Sequence, residues 1–147
     1  MIKLRTDHGY LLYLALKALP IKPLINVQSL RACNSIVDKL YIPLKDFIDL
    51  YDEFTDKRKK AISSFQGGDP TVMIDFNSDE WTHHFEEHVG SVRDEVLKMS
   101  EVEMQVDDFT DEEKAFVKAN WEPYIGPYLP EATTRDALVE YTKIFDL

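Results

Sequence analysis

The residues best able to do chemistry lie in one short run, His84-Phe85-Glu86-Glu87-His88. On a helix, positions four apart share a face, so His84 and His88 stand one turn apart with Glu87 between them. This H-x-x-E-H pattern is the one inverted zinc-peptidase motifs use: the imidazoles hold the metal and the glutamate activates its water. His83 adds an imidazole, and Glu95 lies seven residues beyond His88 on the same edge. Against a zinc centre, the pattern fixes few residue types in an already acidic stretch. A catalytic zinc also needs a third protein ligand, and His8 is the one histidine left. The expectation is half-buried rings flanking an apolar stripe of Trp81, Phe85 and Val92, with no metal and no cofactor.

Two charged stretches could bind rather than catalyse. Lys57-Arg58-Lys59-Lys60 is the one basic run. On a helix its side chains point all round, so it reads as a solvated helix end, favoured by the macrodipole by up to about 1 kcal/mol. Arg58 differs, because it falls on an apolar seam and is placed to pair with an acid across an interface. Glu101, Glu103, Asp107, Asp108, Asp111, Glu112 and Glu113 form the acidic counterpart. They could imitate a phosphate backbone, although acids at a helix start have an ordinary electrostatic explanation.

The charge is polar along the chain. Residues 1–66 carry 11 Lys and Arg against 7 Asp and Glu, and residues 67–147 carry 6 against 20, giving the total of −10. That balance argues against nucleic acid as a partner. The single cysteine, Cys33, rules out an intrachain disulfide and reads as a small core side chain. Residues 10–25 are broken by Lys17, Pro20, Lys22 and Pro23, so no membrane span is expected. There is no phosphate-binding glycine loop, no G-x-S-x-G, no CxxC and no EF-hand loop.

The elements that must position these residues follow from periodicity. Apolar side chains at Leu30, Cys33, Val37, Leu40, Leu44, Phe47, Tyr51, Phe54, Ala61 and Phe65 keep a three-four spacing broken only at Arg58. That is one seam of a long amphipathic helix, roughly 50 Å from end to end at 1.5 Å per residue. A domain of this length has a radius of gyration of about 15 Å, so the helix protrudes, bends or is covered by another chain. The stripe keeps phase across Pro43, which predicts one helix kinked there rather than two.

Around it, residues 1–6 alternate as a strand, and Asp7 caps a helix over 8–19 that Pro20 and Pro23 stop. Gly67-Gly68-Asp69-Pro70 breaks the chain, and residues 71–76 read as a second strand. Asn77 with Glu80 forms a capping box for a helix bearing Trp81, Phe85, Val89, Val92, Val96 and Met99. Residues 101–107 alternate as a third strand with Val102, Met104 and Val106 on one face. Thr110 with Glu113 caps a helix to Asn120, residues 121–130 form a proline-rich loop, and a last helix spans 134–145 with Leu138, Tyr141 and Ile144 inward. The fold class expected is α+β and mainly helical: one domain over 1–147, its long helix beside a small three-stranded sheet with packed helices.

This layout resembles that of small proteins of unknown function encoded by tailed bacteriophages. The residues that carry the likeness are Met1-Ile2-Lys3-Leu4-Arg5, Leu16-Lys17-Ala18-Leu19-Pro20-Ile21-Lys22, Ser29-Leu30-Arg31-Ala32, Tyr51-Asp52-Glu53-Phe54, Ser78-Asp79-Glu80-Trp81 and Glu101–Val106. It covers about residues 1–109. Pro43, the aromatic-proline loop and the final helix depart from it. The resemblance implies an accessory or virion-associated role, in host cytoplasm or particle, and no catalytic residues.

The function expected is therefore non-enzymatic: a structural or accessory protein, associating with itself or another protein through Leu44, Phe47, Tyr51, Phe54, Arg58 and Phe65. Aromatics at seam positions make strong anchors. The second reading is an acidic inhibitor of a basic DNA-binding or defence protein. The third is a metal-dependent hydrolase using His84, Glu87 and His88.

Overall fold

A computed structural model describes all residues, 1–147. Its elements are β1 (Ile2–Arg5), α1 (Thr6–Lys17), a 3-10 turn (Lys22–Leu24), α2 (Val27–Phe65), α3 (Asp79–His88), α4 (Gly90–Ser100), β2 (Glu103–Val106), α5 (Asp111–Asn120), a π turn (Trp121–Ile125), the short α6 (Gly126–Tyr128) and α7 (Arg135–Phe145). The chain is 71% helical. The long helix is continuous over 39 residues with Pro43 inside it. The chain divides into two packed units, one built from residues 1–45 and 102–147, the other from 46–101. These boundaries do not follow the change of charge at residue 66.

In the first unit β1 pairs antiparallel with β2, setting Ile2 opposite Val106 and Leu4 opposite Met104. Leu4, Met104 and Val106 point into a core shared with Leu12 and Leu16 of α1, Ile36 and Leu40 of α2, Phe116 and Val117 of α5, and Tyr141 and Phe145 of α7. Gly9 lets α1 lie against this sheet: a Cβ there would meet Met104 Cε at 2.1 Å and Leu4 Cδ2 at 3.2 Å. The Thr110–Glu113 capping box forms as the spacing predicts.

In the second unit Ala61, Trp81 and Val89 make a buried centre, ringed by Phe54, Ile62, Phe65, Ile74 and Phe85. The helical period of α2 and α3 places these residues on facing stripes.

Several expectations are corrected. The sheet has two strands, not three. Residues 71–76 are rich in β-formers but have no strand to pair with. Their backbone is instead tied into turns, with Asp69 accepting from Thr71 N–H and Asp75 accepting from Asn77 N–H. The helix starts one residue later than an Asn77 cap would place it, and Ser78 caps α3 by accepting from Trp81 N–H. One helix was expected over 81–99, but it breaks at Val89 into α3 and α4. Gly90 follows the break, where a Cβ would lie 2.6 Å from Glu86 Oε2. Val102 is exposed because the strand starts after it, its carbonyl accepting from both Thr6 N–H and Thr6 Oγ1. Residues 121–128 are helical rather than a loop, Leu138 faces outward, and Asp7 lies inside α1 rather than capping it.

Candidate interaction sites

The histidine motif is built into the second unit as a packing element. His84 Nε2 lies 3.0 Å from the Ala61 carbonyl and 2.9 Å from Ser64 Oγ. A carbonyl only accepts, so this nitrogen carries its proton and has no lone pair for a metal. The ring also packs on Phe65 at 5.3 Å and on Trp81 at 6.1 Å. The structure brings His84 and His88 together, with ring centroids 4.3 Å apart. His83, Glu87 and His88 are exposed, and His8 belongs to the other unit. No three His, Cys, Asp or Glu side chains converge on a position that could hold a metal ion.

The densest polar arrangement in the first unit was not visible in the sequence. His8 is 4% exposed, with Nδ1 3.2 Å from Glu140 Oε2 and Nε2 3.7 Å from Asp7 Oδ1. Arg5 Nε lies 2.9 Å from the same Asp7 oxygen, and Arg5 N–H donates to Glu140 Oε1 at 2.9 Å. Tyr141 Oη donates to the His8 carbonyl at 2.5 Å. A shallow groove beside it is lined by Leu11, Pro130, Thr133 and Thr134. The two carboxylates face the Arg5 side chain and the His8 ring, and Glu140 ties the β1–α1 junction to α7. Its partners lie more than 130 residues apart, and no local signal connects them.

The seam residues of α2 are placed unevenly. Leu44 is 0% and Phe47 4% exposed, so the folded chain closes both to a partner. Tyr51, Phe54 and Phe65 are half-buried. Phe47, Tyr51 and Phe54 stack along the helix at 6.1 and 5.9 Å, while Phe65 meets Trp81 edge-on at 5.3 Å. Open apolar side chains are spread over the chain, Ile42, Met73 and Leu97 among them, and four fall close together in sequence: Ile21 at 79%, Ile25 at 74%, Val27 at 60% and Leu30 at 41%. Only Leu30 belongs to the predicted seam. Next to Val27 and Leu30 a groove is lined by Gln28, Ser29, Ala32, Glu112, Ala115, Phe116, Ala119 and Asn120.

Arg58 is exposed and makes no ion pair or hydrogen bond. Helical spacing explains it. Lys57 has Glu53 four residues back and pairs with it at 3.3 Å, and Lys60 pairs with Asp56 at 2.9 Å. At three and four residues from Arg58 stand Phe54, Thr55, Ala61 and Ile62, none of them acidic. Arg58 lines an open cleft with Phe76, Trp81, Thr82, Phe85, Glu86 and Arg93. Arg93 is already engaged by both oxygens of Glu86 and by Asp94. The hydrogen bonds it donates to Glu86, then to Asp94, hold its guanidinium even more firmly charged than usual.

No helix is long and apolar enough to cross a membrane. Compared with family models, with curated proteins and with solved structures, the chain gives no match.

Proposed function

We propose that this protein is a non-enzymatic interaction protein, structural or accessory, that associates with a second copy of itself through the start of its long helix. One observation carries the reading: four large aliphatic side chains, Ile21, Ile25, Val27 and Leu30, stand exposed within ten residues. Isolated exposed apolar residues are ordinary, but four so close in the chain favour a surface that a partner covers. Burying it stabilises an interface by about 25 cal/mol per Å2 of apolar area.

A second copy fits because the surface offers both halves of a contact. Bulky side chains at Val27 and Leu30 adjoin a groove floored by Ala32, Ala115 and Ala119. In a twofold pair each copy presents its bulky edge to the other's groove. Arg31 and Glu112, both exposed at this surface, supply opposite charges for the rim. Of the seam anchors expected from sequence, Leu44 and Phe47 are spent on the chain's own core, so the self-contact is assigned to this set. An accessory role of this kind, in a particle or in host cytoplasm, is what the tailed-phage layout implies.

Sedimentation velocity tests it. A concentration-dependent dimer of the 17.1 kDa chain is expected at micromolar concentrations, and Val27→Asp or Leu30→Asp shifts it to monomer with unchanged circular dichroism. A wild-type chain that stays monomeric throughout that range removes the reading.

A further inference from the structure

We infer that the cleft beside Arg58 is a docking site for a peptide segment of a partner protein, one that sets a carboxylate next to an aromatic or large aliphatic side chain. The cleft lies in residues 46–101 and shares no residue with the self-association surface, so the two stand or fall separately.

Charge decides what binds. Among the cleft residues Glu86 and Arg93 neutralise each other, and Arg93 is further matched by Asp94. The neighbouring lysines Lys57 and Lys60 have helix partners. Of the two cations that line the cleft, Arg58 is the one left without an anion, and its planar fork suits a carboxylate held by two hydrogen bonds. One unpaired cation in the cleft, on a chain of net charge −10, favours one carboxylate over a polyanion.

Shape decides the rest. Phe76 is 52% exposed and meets Trp81 edge-on at 5.3 Å, while Phe85 lies 5.9 Å from Trp81 on the other side. These rings form an apolar wall within the cleft that Arg58 also lines. The wall is built before any ligand arrives. Gln66 Nε2 donates to the Val72 carbonyl at 2.8 Å, Asp69 holds Thr71, and Ser78 Oγ donates to the Asp75 carbonyl at 2.7 Å. Arg93 lies 5.7 Å over the Phe85 ring and braces it. Such preorganisation removes part of the ordering cost of binding. The open cleft holds about 320 Å3, room for one large side chain and its flanking carboxylate rather than a folded domain.

The test uses the full chain and three fluorescein-labelled heptapeptides that differ only at a central pair: Glu-Phe, Gln-Phe and Glu-Ala. Fluorescence anisotropy should show saturable binding of the Glu-Phe peptide. The other two should bind at least about fivefold more weakly, the ratio that corresponds to about 1 kcal/mol. Arg58→Glu should abolish binding, Arg58→Lys should retain part of it, and Phe76→Ala should weaken it. Both residues are exposed, so circular dichroism of the variants should match wild type, and Arg135→Glu in the other unit should bind normally. The inference is overturned if the Glu-Phe peptide shows no saturable binding at millimolar concentration. It is equally overturned if Arg58→Glu leaves binding unchanged, or if a thymidine oligonucleotide binds more tightly than the peptide.

Discussion

Lys39 Nζ on α2 lies 2.5 Å from Glu113 Oε1 on α5, and that same oxygen accepts the Thr110 backbone N–H at 2.9 Å. One buried carboxylate therefore closes a helix cap and ties two helices of the first unit together. Burial pushes the Glu113 carboxyl up, but hydrogen bonds from Lys39 and from Thr110 N–H outweigh it and hold the group below the usual glutamate range.

Glu113→Gln is expected to cost about 1–3 kcal/mol at neutral pH, read by urea denaturation. The sign of the pH effect follows from the lowered folded value. The contribution is present above the unfolded glutamate value and is lost as pH falls through the folded one. Wild-type stability should drop across that acid window, and the Glu113→Gln chain should show a shallower drop. Parallel curves for the two proteins would contradict the assignment.

Tyr141 should ionise only above the ordinary tyrosine range. Burial, then the charges of Glu140 and Asp7, push its phenol upward. A raised folded value gives stability that is present below the ordinary tyrosine value of about 10 and lost as pH rises through the folded one. Spectrophotometric titration should show a phenol, absent from the Tyr141→Phe chain, that stays neutral well above pH 10. Tyr141→Phe should weaken the alkaline loss while costing about 1 kcal/mol at neutral pH, since the His8 carbonyl loses its donor.

Cys33 should be silent toward thiol reagents in the folded chain. It is buried, burial pushes its thiol up, and Sγ points to the Leu16 carbonyl at 3.9 Å. A disulfide reagent should label no thiol in native buffer and one per chain in urea. Rapid labelling of native protein would show that this part of the core opens readily.

Pro43→Ala should raise the melting temperature. A proline inside a helix lacks the N–H that would reach the carbonyl four residues back, a loss of up to about 3 kcal/mol that alanine repairs. Part of the gain is offset because the alanine chain is freer when unfolded. A lower melting temperature would mean that the packing around residue 43 needs the proline.

The local elements were largely legible because they rest on local chemistry. The three-four spacing from Leu30 to Phe65 specified the long helix through Pro43, and Thr110 with Glu113 specified the start of α5. Alternation in residues 2–5 and 103–106 specified two strands. Residues 71–76 show the limit: β propensity makes a strand only where another edge accepts its hydrogen bonds, and here Asp69 and Asp75 capture the backbone first. Residue types alone also carried the odd character of Arg58, a cation on a seam with no acid one turn away.

What only the tertiary structure decided is which apolar residues are spent internally. Periodicity tells that Leu44 and Leu30 both lie on one helix seam, but not that one is enclosed and the other open. It likewise gives no hint that Glu140 would meet His8 or that Glu113 would meet Lys39. Burial and buried ion pairing depend on segments distant in the chain. A pattern with a period of a few residues constrains a helix face and leaves the identity of what covers it to the fold.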